Sequence, residues 1–283
     1  MFVAFLFIPL AAGNIFMEGS IRNVPEITER QFTSAKAYTI FDPCNTNKPG
    51  NRTIGCSQIQ RKNNSKSGVY TIHPLNNPVD VMCDMTSDGG GWTVIQSRTK
   101  DDPSDAFEKS YQDYEKGFGS PKKSFWIGNT HLHALTSFPN NQQALRVELT
   151  RNKGENPIVL HYRNFHVGDK QNEYKLTISE YDGLPGYDAL SYHDHAKFTT
   201  KNWKEVRDGD SCSIRLSGGW WFKRCNEANL NGRKLTLLLP TTKPRGITWN
   251  IQGDIKAYDY TYEKVEMKIR DADFGFCTGF SKS

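Results

Sequence analysis

The chain has 283 residues, of which 36% are hydrophobic and 24% charged, a composition that excludes an intrinsically disordered chain. Its net charge of +5 is spread along the sequence without a Lys/Arg run, so no nucleic-acid groove is expected. The length suits one large domain or two small ones.

The first expected element is a signal peptide over residues 1–13. Phe2 to Ala12 is an apolar run of 11 residues followed by small Gly13; that is too short to span a bilayer and of the length of a signal-peptide core. No later stretch is long and apolar enough for a membrane span. Residues 14–49 show no Gly-X-Y repeat and no sustained heptads, so they read as a short N-terminal arm. A continuous domain is expected over 50–275, with a C-terminal tail at 276–283. Secretion predicts oxidised cysteines, and there are six: Cys44, Cys56, Cys83, Cys212, Cys225 and Cys277. Six cysteines allow 15 pairings, so their number fixes no connectivity. Asn51 and Asn63 each begin an N-glycosylation triplet in polar sequence.

Three strands stand out by period-two alternation. Leu145, Val147 and Leu149 alternate with Arg146 and Glu148; Tyr174, Leu176 and Ile178 with Lys175 and Thr177; Val265, Met267 and Ile269 with Glu266 and Lys268. Each pattern puts one face on a core and the other among polar groups. Helices are expected at Phe107–Tyr114 and at Thr130–Phe138, the second capped by Asn129 or Thr130. Between about Gly183 and Tyr258 the sequence is rich in Gly, Asn and Asp, and a loop region of that length is usually functional or cross-linked. The fold class is therefore α+β: a central antiparallel sheet, a few short helices and a loop-rich C-terminal region.

Several strings are more specific than composition. In order they are Ser67-Gly-Val-Tyr70, Cys83-Asp-Met85, Asp88-Gly-Gly-Gly-Trp-Thr-Val94, Phe125-Trp-Ile-Gly-Asn129, Leu190-Ser-Tyr-His193, Trp220-Trp-Phe222, Ala228-Asn-Leu-Asn-Gly232, Gly246-Ile-Thr-Trp249 and Glu266-Met-Lys-Ile-Arg270. In order and spacing they resemble the fibrinogen C-terminal-type domain of ficolins, tachylectins and related invertebrate lectins, over about residues 50–272. The resemblance implies a disulfide-bonded N-terminal section, a central sheet and a C-terminal binding region, with bridges Cys56–Cys83 and Cys212–Cys225. Cys44 and Cys277 are left either to pair with each other or to link chains.

Family members carry a calcium loop after the Phe198-Thr-Thr200 segment, and hard calcium needs several converging oxygens. The positions of its two ligating aspartates are Lys204 and Val206 here, so no cofactor is expected. Asp208 and Asp210 then read as solvated turn acids, as partners of Lys204, or as a shifted metal site. The acetyl pocket of the family falls at Leu216, Asn226 and Lys243, beside the Arg224–Cys225 peptide bond that the family holds cis. Leu216 lacks a hydroxyl, Asn226 lacks a ring and Lys243 is a cation; with Arg224, Lys243 points to an anionic ligand. The paired Trp220 and Trp221 read as core residues.

His131-Leu-His133 and His193-Asp-His195 have a spacing that on a strand puts both rings on one face, but no third ligand completes a zinc site. No nucleophile elbow, zincin motif, P-loop or dinucleotide fingerprint is present, and no enzyme is expected. These observations predict a secreted lectin-like recognition protein of innate immunity, without a membrane span, that binds glycans or glycoproteins on cell or microbial surfaces and associates into homo-oligomers. The alternative is a non-lectin module that binds a protein receptor, as a signalling ligand, clotting component or venom constituent.

Overall fold

A computed structural model describes residues 53–63, 66–138, 141–200, 217–223, 227–235 and 246–275. The expected signal peptide, the arm with Cys44 and Asn51, and the tail with Cys277 lie outside the described residues, as does the side chain of Asn63.

In chain order the elements are α1 (Cys56–Asn63), β1 (Gly68–Ile72), β2 (Val79–Asp84), β3 (Trp92–Arg98), α2 (Tyr111–Lys116), β4 (Phe118–Gly119), β5 (Phe125–Trp126), α3 (Asn129–Thr136), β6 (Gln143–Thr150), β7 (Ile158–Val167) and β8 (Leu176–Asp182). The two-residue strands β9 (Thr199–Thr200), β10 (Gly219–Trp220), β11 (Ala228–Asn229) and β12 (Thr248–Trp249) follow, and β13 (Lys264–Asp271) closes the series. A nine-stranded sheet runs β1-β2-β3-β13-β6-β7-β8, with β5 pairing β3 and β4 pairing β5. The last strand thus inserts into the middle of the sheet, where Val265 lies opposite both Arg98 and Leu149.

The alternation sets the two faces of this centre. Leu145, Val147, Val265, Met267 and Ile269 are at most 1% exposed, and each such side chain contributes about 1.5–3 kcal/mol by leaving water. The opposite face carries an ionic group. Lys268 Nζ lies 2.9 Å from Asp84 Oδ2, 2.9 Å from Glu148 Oε2 and 3.2 Å from Glu266 Oε2, while Arg146 pairs with Glu148 at 2.7 Å. The N-terminal section is fastened to the sheet by the Cys56–Cys83 disulfide, with Cα atoms 5.5 Å apart; closing this loop restricts the unfolded chain by about 3–4 kcal/mol.

Three sequence expectations need correction in their bounds. Helix α2 starts at Tyr111 because Ser110 forms a reciprocal capping box with Asp113. Phe107 instead sits in a turn, under the Arg98 guanidinium at 4.0 Å. Helix α3 begins at Asn129 with Gly128 as its N-cap; the Asn129 side chain is buried and accepts from Trp126 Nε1 at 3.1 Å. Strand β8 begins only at Leu176, because Glu173 and Tyr174 both adopt left-handed backbone (φ 52° and 50°) and turn the chain into it.

Candidate functional site: the C-terminal loop platform

Between β8 and β13 the described residues form a platform held by side chains more than by long ladders. Trp220 and Trp221 are fully buried, as the sequence predicts. Trp221 meets Phe198 edge-on at 5.4 Å and donates from Nε1 to the Tyr174 carbonyl at 2.8 Å. The left-handed turn at Glu173 and Tyr174 therefore presents the carbonyl that anchors this indole.

The Ala228–Gly232 strip is stitched to Ser217–Gly219. Asn229 Nδ2 donates to Ser217 O at 3.0 Å and Asn231 Nδ2 to Gly219 O at 2.9 Å. From beneath, Gln96 Nε2 donates to Leu230 O at 3.0 Å and buried Arg98 donates from Nη1 to Gly232 O at 2.6 Å. Glycine is required where the strips touch. Gly218 has φ 73°, and a Cβ there would lie 2.1 Å from Asn231 O. Gly218→Ala is expected to cost at least about 3 kcal/mol in urea denaturation. Gly154→Ala, at φ 83° in open space, is expected to cost only about 1–2 kcal/mol.

His193 joins the two sides of the platform. It is completely buried in a short 3-10 turn. Its Nδ1 lies 2.7 Å from Trp221 O, and its Nε2 lies 2.9 Å from Ala228 N. Nδ1 therefore carries the proton and donates, while bare Nε2 accepts from the Ala228 amide. Burial pushes the imidazole down to about 4; the bond to Trp221 O only partly opposes this. His193 and His195 lie in no strand: His193 is a core lock, and its neighbour His195 is exposed. His131 and His133 lie on α3 and bond different carbonyls, those of Ile127 and Val167.

The outer side of the platform is aromatic and charged. Lys223 is exposed, donates to Asp194 O at 3.2 Å and stands 5.9 Å from the Tyr192 ring centre. Phe222, Glu227 and Tyr258 are half-buried. Burial, followed by the nearby Glu227 and Tyr192, pushes the Tyr258 hydroxyl up to about 12. Asn250 N donates to Glu227 O at 2.7 Å and Trp249 Nε1 to Tyr187 O at 2.8 Å, which fixes the following loop. That loop carries Ile255, 95% exposed, and the neighbouring turn carries Leu184, 50% exposed. The sequence reading missed Ile255, although an isoleucine in the polar Gly253-Asp254 turn is a visible signal. The other predicted site residues, Lys204, Val206, Asp208, Asp210, Cys212, Leu216, Arg224, Cys225, Asn226 and Lys243, lie outside the described residues.

The C-terminal globular domain family of fibrinogen beta and gamma chains matches residues 53–272. The protein belongs to this family. Angiopoietin-related protein 7 of Homo sapiens is 38% identical over 224 residues, covering 77% of this chain and 62% of that protein. Angiopoietin-1 of Homo sapiens is 36% identical over 222 residues, covering 77% of this chain and 43% of that protein. The chain thus spans less than two thirds of the length of these curated relatives. Among solved structures, the fibrinogen-like globe domain of human ANGPTL6 superposes with a TM-score of 0.69 at 29% identity, covering 79% of this chain and 97% of that one. A lamprey fibrin D-dimer in complex with the peptide ligand Gly-His-Arg-Pro-amide gives 0.65 at 27% identity, covering 84% and 79%.

These relatives correct one expectation. The fibrinogen-like fold stands, but the relatives named above are angiopoietin-type proteins, which back the non-lectin alternative and not the ficolin- or tachylectin-type reading. The reading as a glycan-binding lectin of innate immunity is therefore withdrawn in favour of the non-lectin alternative. No helix among the described residues is long and apolar enough to cross a membrane.

Proposed function

We propose that this fibrinogen-like protein is a secreted, non-enzymatic module that docks a protein receptor through the outer side of its C-terminal platform. The observation that carries the proposal is the exposure of Ile255 beside half-buried Tyr258, on a scaffold shared with angiopoietin-type proteins. Docking surfaces draw their energy from a few apolar and aromatic anchors within a polar rim, and Tyr192, Phe222 and Lys223 complete such a set. The short peptide bound by the lamprey neighbour supports a protein ligand for this family. Calcium has no part in the proposal, because an ammonium at Lys204 and an isopropyl group at Val206 supply no anionic oxygen.

The test is a binding curve of the purified protein on receptor-bearing cells. Ile255→Asp is expected to weaken binding at least tenfold while leaving the melting temperature within about a degree, since the side chain is 95% exposed. Unchanged binding would remove this surface from the proposal.

A further inference from the structure

We infer that the two turns carrying Leu184 and Ile255 form one two-pronged docking surface, whose occupant is a protein partner with apolar contacts set among lysines or arginines. Leu184 and Ile255 are the most exposed large apolar side chains among the described residues, at 50% and 95%. Both are held out on well-fastened turns. Tyr187 N donates to Leu184 O at 3.1 Å across Pro185 and Gly186. A φ of 82° at Gly186 gives this turn the type II form, with proline and glycine at its centre. Tyr181 Oη donates to the same Leu184 carbonyl at 2.7 Å. Ile255 follows Asp254, whose carbonyl accepts from Ala257 N at 3.0 Å. The Asp254 carboxylate accepts from Lys256 N at 2.9 Å and from Tyr260 Oη at 2.8 Å.

The turns are also fastened to each other. Gln252 N donates to Gly186 O at 2.8 Å, and Trp249 Nε1 donates to Tyr187 O at 2.8 Å. Side chains this exposed contribute little to the stability of the fold. Their rigid presentation instead lowers the ordering entropy lost when a partner binds.

The sign of the rim identifies the partner. Residues 180–188 and 252–259 hold five carboxylates, Glu180, Asp182, Asp188, Asp254 and Asp259, against one cation, Lys256, in a chain of net charge +5. All of these carboxylates except that of Asp254 are on exposed residues. From β7, exposed Arg163 reaches Asp182 at 3.6 Å, and Arg151, stacked on the Tyr260 ring, offsets Asp254. Even with both arginines counted, carboxylates outnumber cations around the two turns. On the Tyr192 side, Lys223 and Glu227 add one charge of each sign. Apolar anchors in an acidic rim repel an anionic membrane and steer a cationic protein surface into place. That the occupant is a receptor rests on the docking role proposed above; the sign of its charge rests on these two turns.

The experiment measures association and dissociation rates of the intact protein on receptor-bearing cells at about 50 and about 300 mM NaCl, with sucrose holding the osmolarity. Association is expected to slow at least about threefold at the higher salt. The double variant Glu180→Gln, Asp182→Asn is expected to slow it by about the same factor at low salt and to flatten the salt dependence. Lys256→Glu is expected to speed it, which damage to the fold would not do. Leu184→Ser is expected to speed dissociation about tenfold without changing the melting temperature. Association indifferent to salt and to both charge changes would overturn the cationic partner, and unchanged dissociation in Leu184→Ser would overturn the pairing of the two turns. A dimer in sedimentation that Ile255→Asp dissolves would overturn the receptor and seat a second copy of the chain there. If Ile255→Asp leaves cell binding unchanged, the docking role itself falls; if it weakens binding while salt and the charge variants do nothing, only the present inference falls.

Discussion

Lys268→Met is expected to cost about 3–5 kcal/mol of folding stability, read as a fall in the urea midpoint with little change in slope. The side chain is 5% exposed and stands within 3.2 Å of three carboxylates on three neighbouring positions of the sheet. Removing the ammonium leaves Asp84, Glu148 and Glu266 facing one another with only Arg146 and Lys264 to offset them. The pH dependence follows from the same group. Burial raises the Asp84 carboxyl, but hydrogen bonds from Ser87 and Lys268 outweigh it and hold the group well below the usual range. Burial also raises Glu148, and Lys268 with Arg146 lowers it on balance. A carboxylate depressed in the fold stabilises fully above its unfolded value, near 4, and loses that contribution as pH falls through the folded value. The wild type should therefore lose stability steeply below about pH 4, and Lys268→Met should lose less there. A variant as stable as the wild type at pH 7 would show the ionic group to be replaceable.

His193→Phe is expected to cost about 2–4 kcal/mol, because it strands the Trp221 carbonyl and the Ala228 amide in the interior. Here acid acts at a different pH. The imidazole titrates near 4 in the fold, against about 6.5 unfolded. The fold thus prefers the neutral ring, and this contribution is complete above the unfolded value and lost as pH falls towards the folded one. Between pH 7 and pH 5 the loss amounts to about 2 kcal/mol. Urea denaturation of wild type and variant at both pH values separates this share from that of His131 and His166, which burial also lowers. Equal slopes in the two proteins would exclude the lock.

How far the sequence reveals the molecule depends on the range of the forces involved. The strands around Leu145–Leu149 and Val265–Ile269 are legible because alternation is a local signal of a sheet with one buried face. Their order is not: that the last strand lies between β3 and β6 depends on contacts far apart in the chain, which no local pattern displays. The helix expected from Phe107 starts only at Tyr111, because the Ser110–Asp113 capping box sets its first turn. His193 was singled out for its His-x-His spacing, yet its role comes from two backbone groups at Trp221 and Ala228, which no local pattern displays. The docking residues were the least legible. The sequence points to the positions where family pockets lie, whereas Ile255 is defined by its exposure on the folded surface. The lectin reading failed for a related reason: the fold-bearing strings are shared by members that differ in their ligands, and ligand choice sits in the loops.

The most direct test of the account is binding of the purified protein to receptor-bearing cells after two enzymatic treatments, one removing surface glycans and the other digesting surface proteins. The account predicts binding that survives glycan removal and EDTA and is lost on protein digestion. Binding abolished by glycan removal on cells whose proteins remain intact would contradict it.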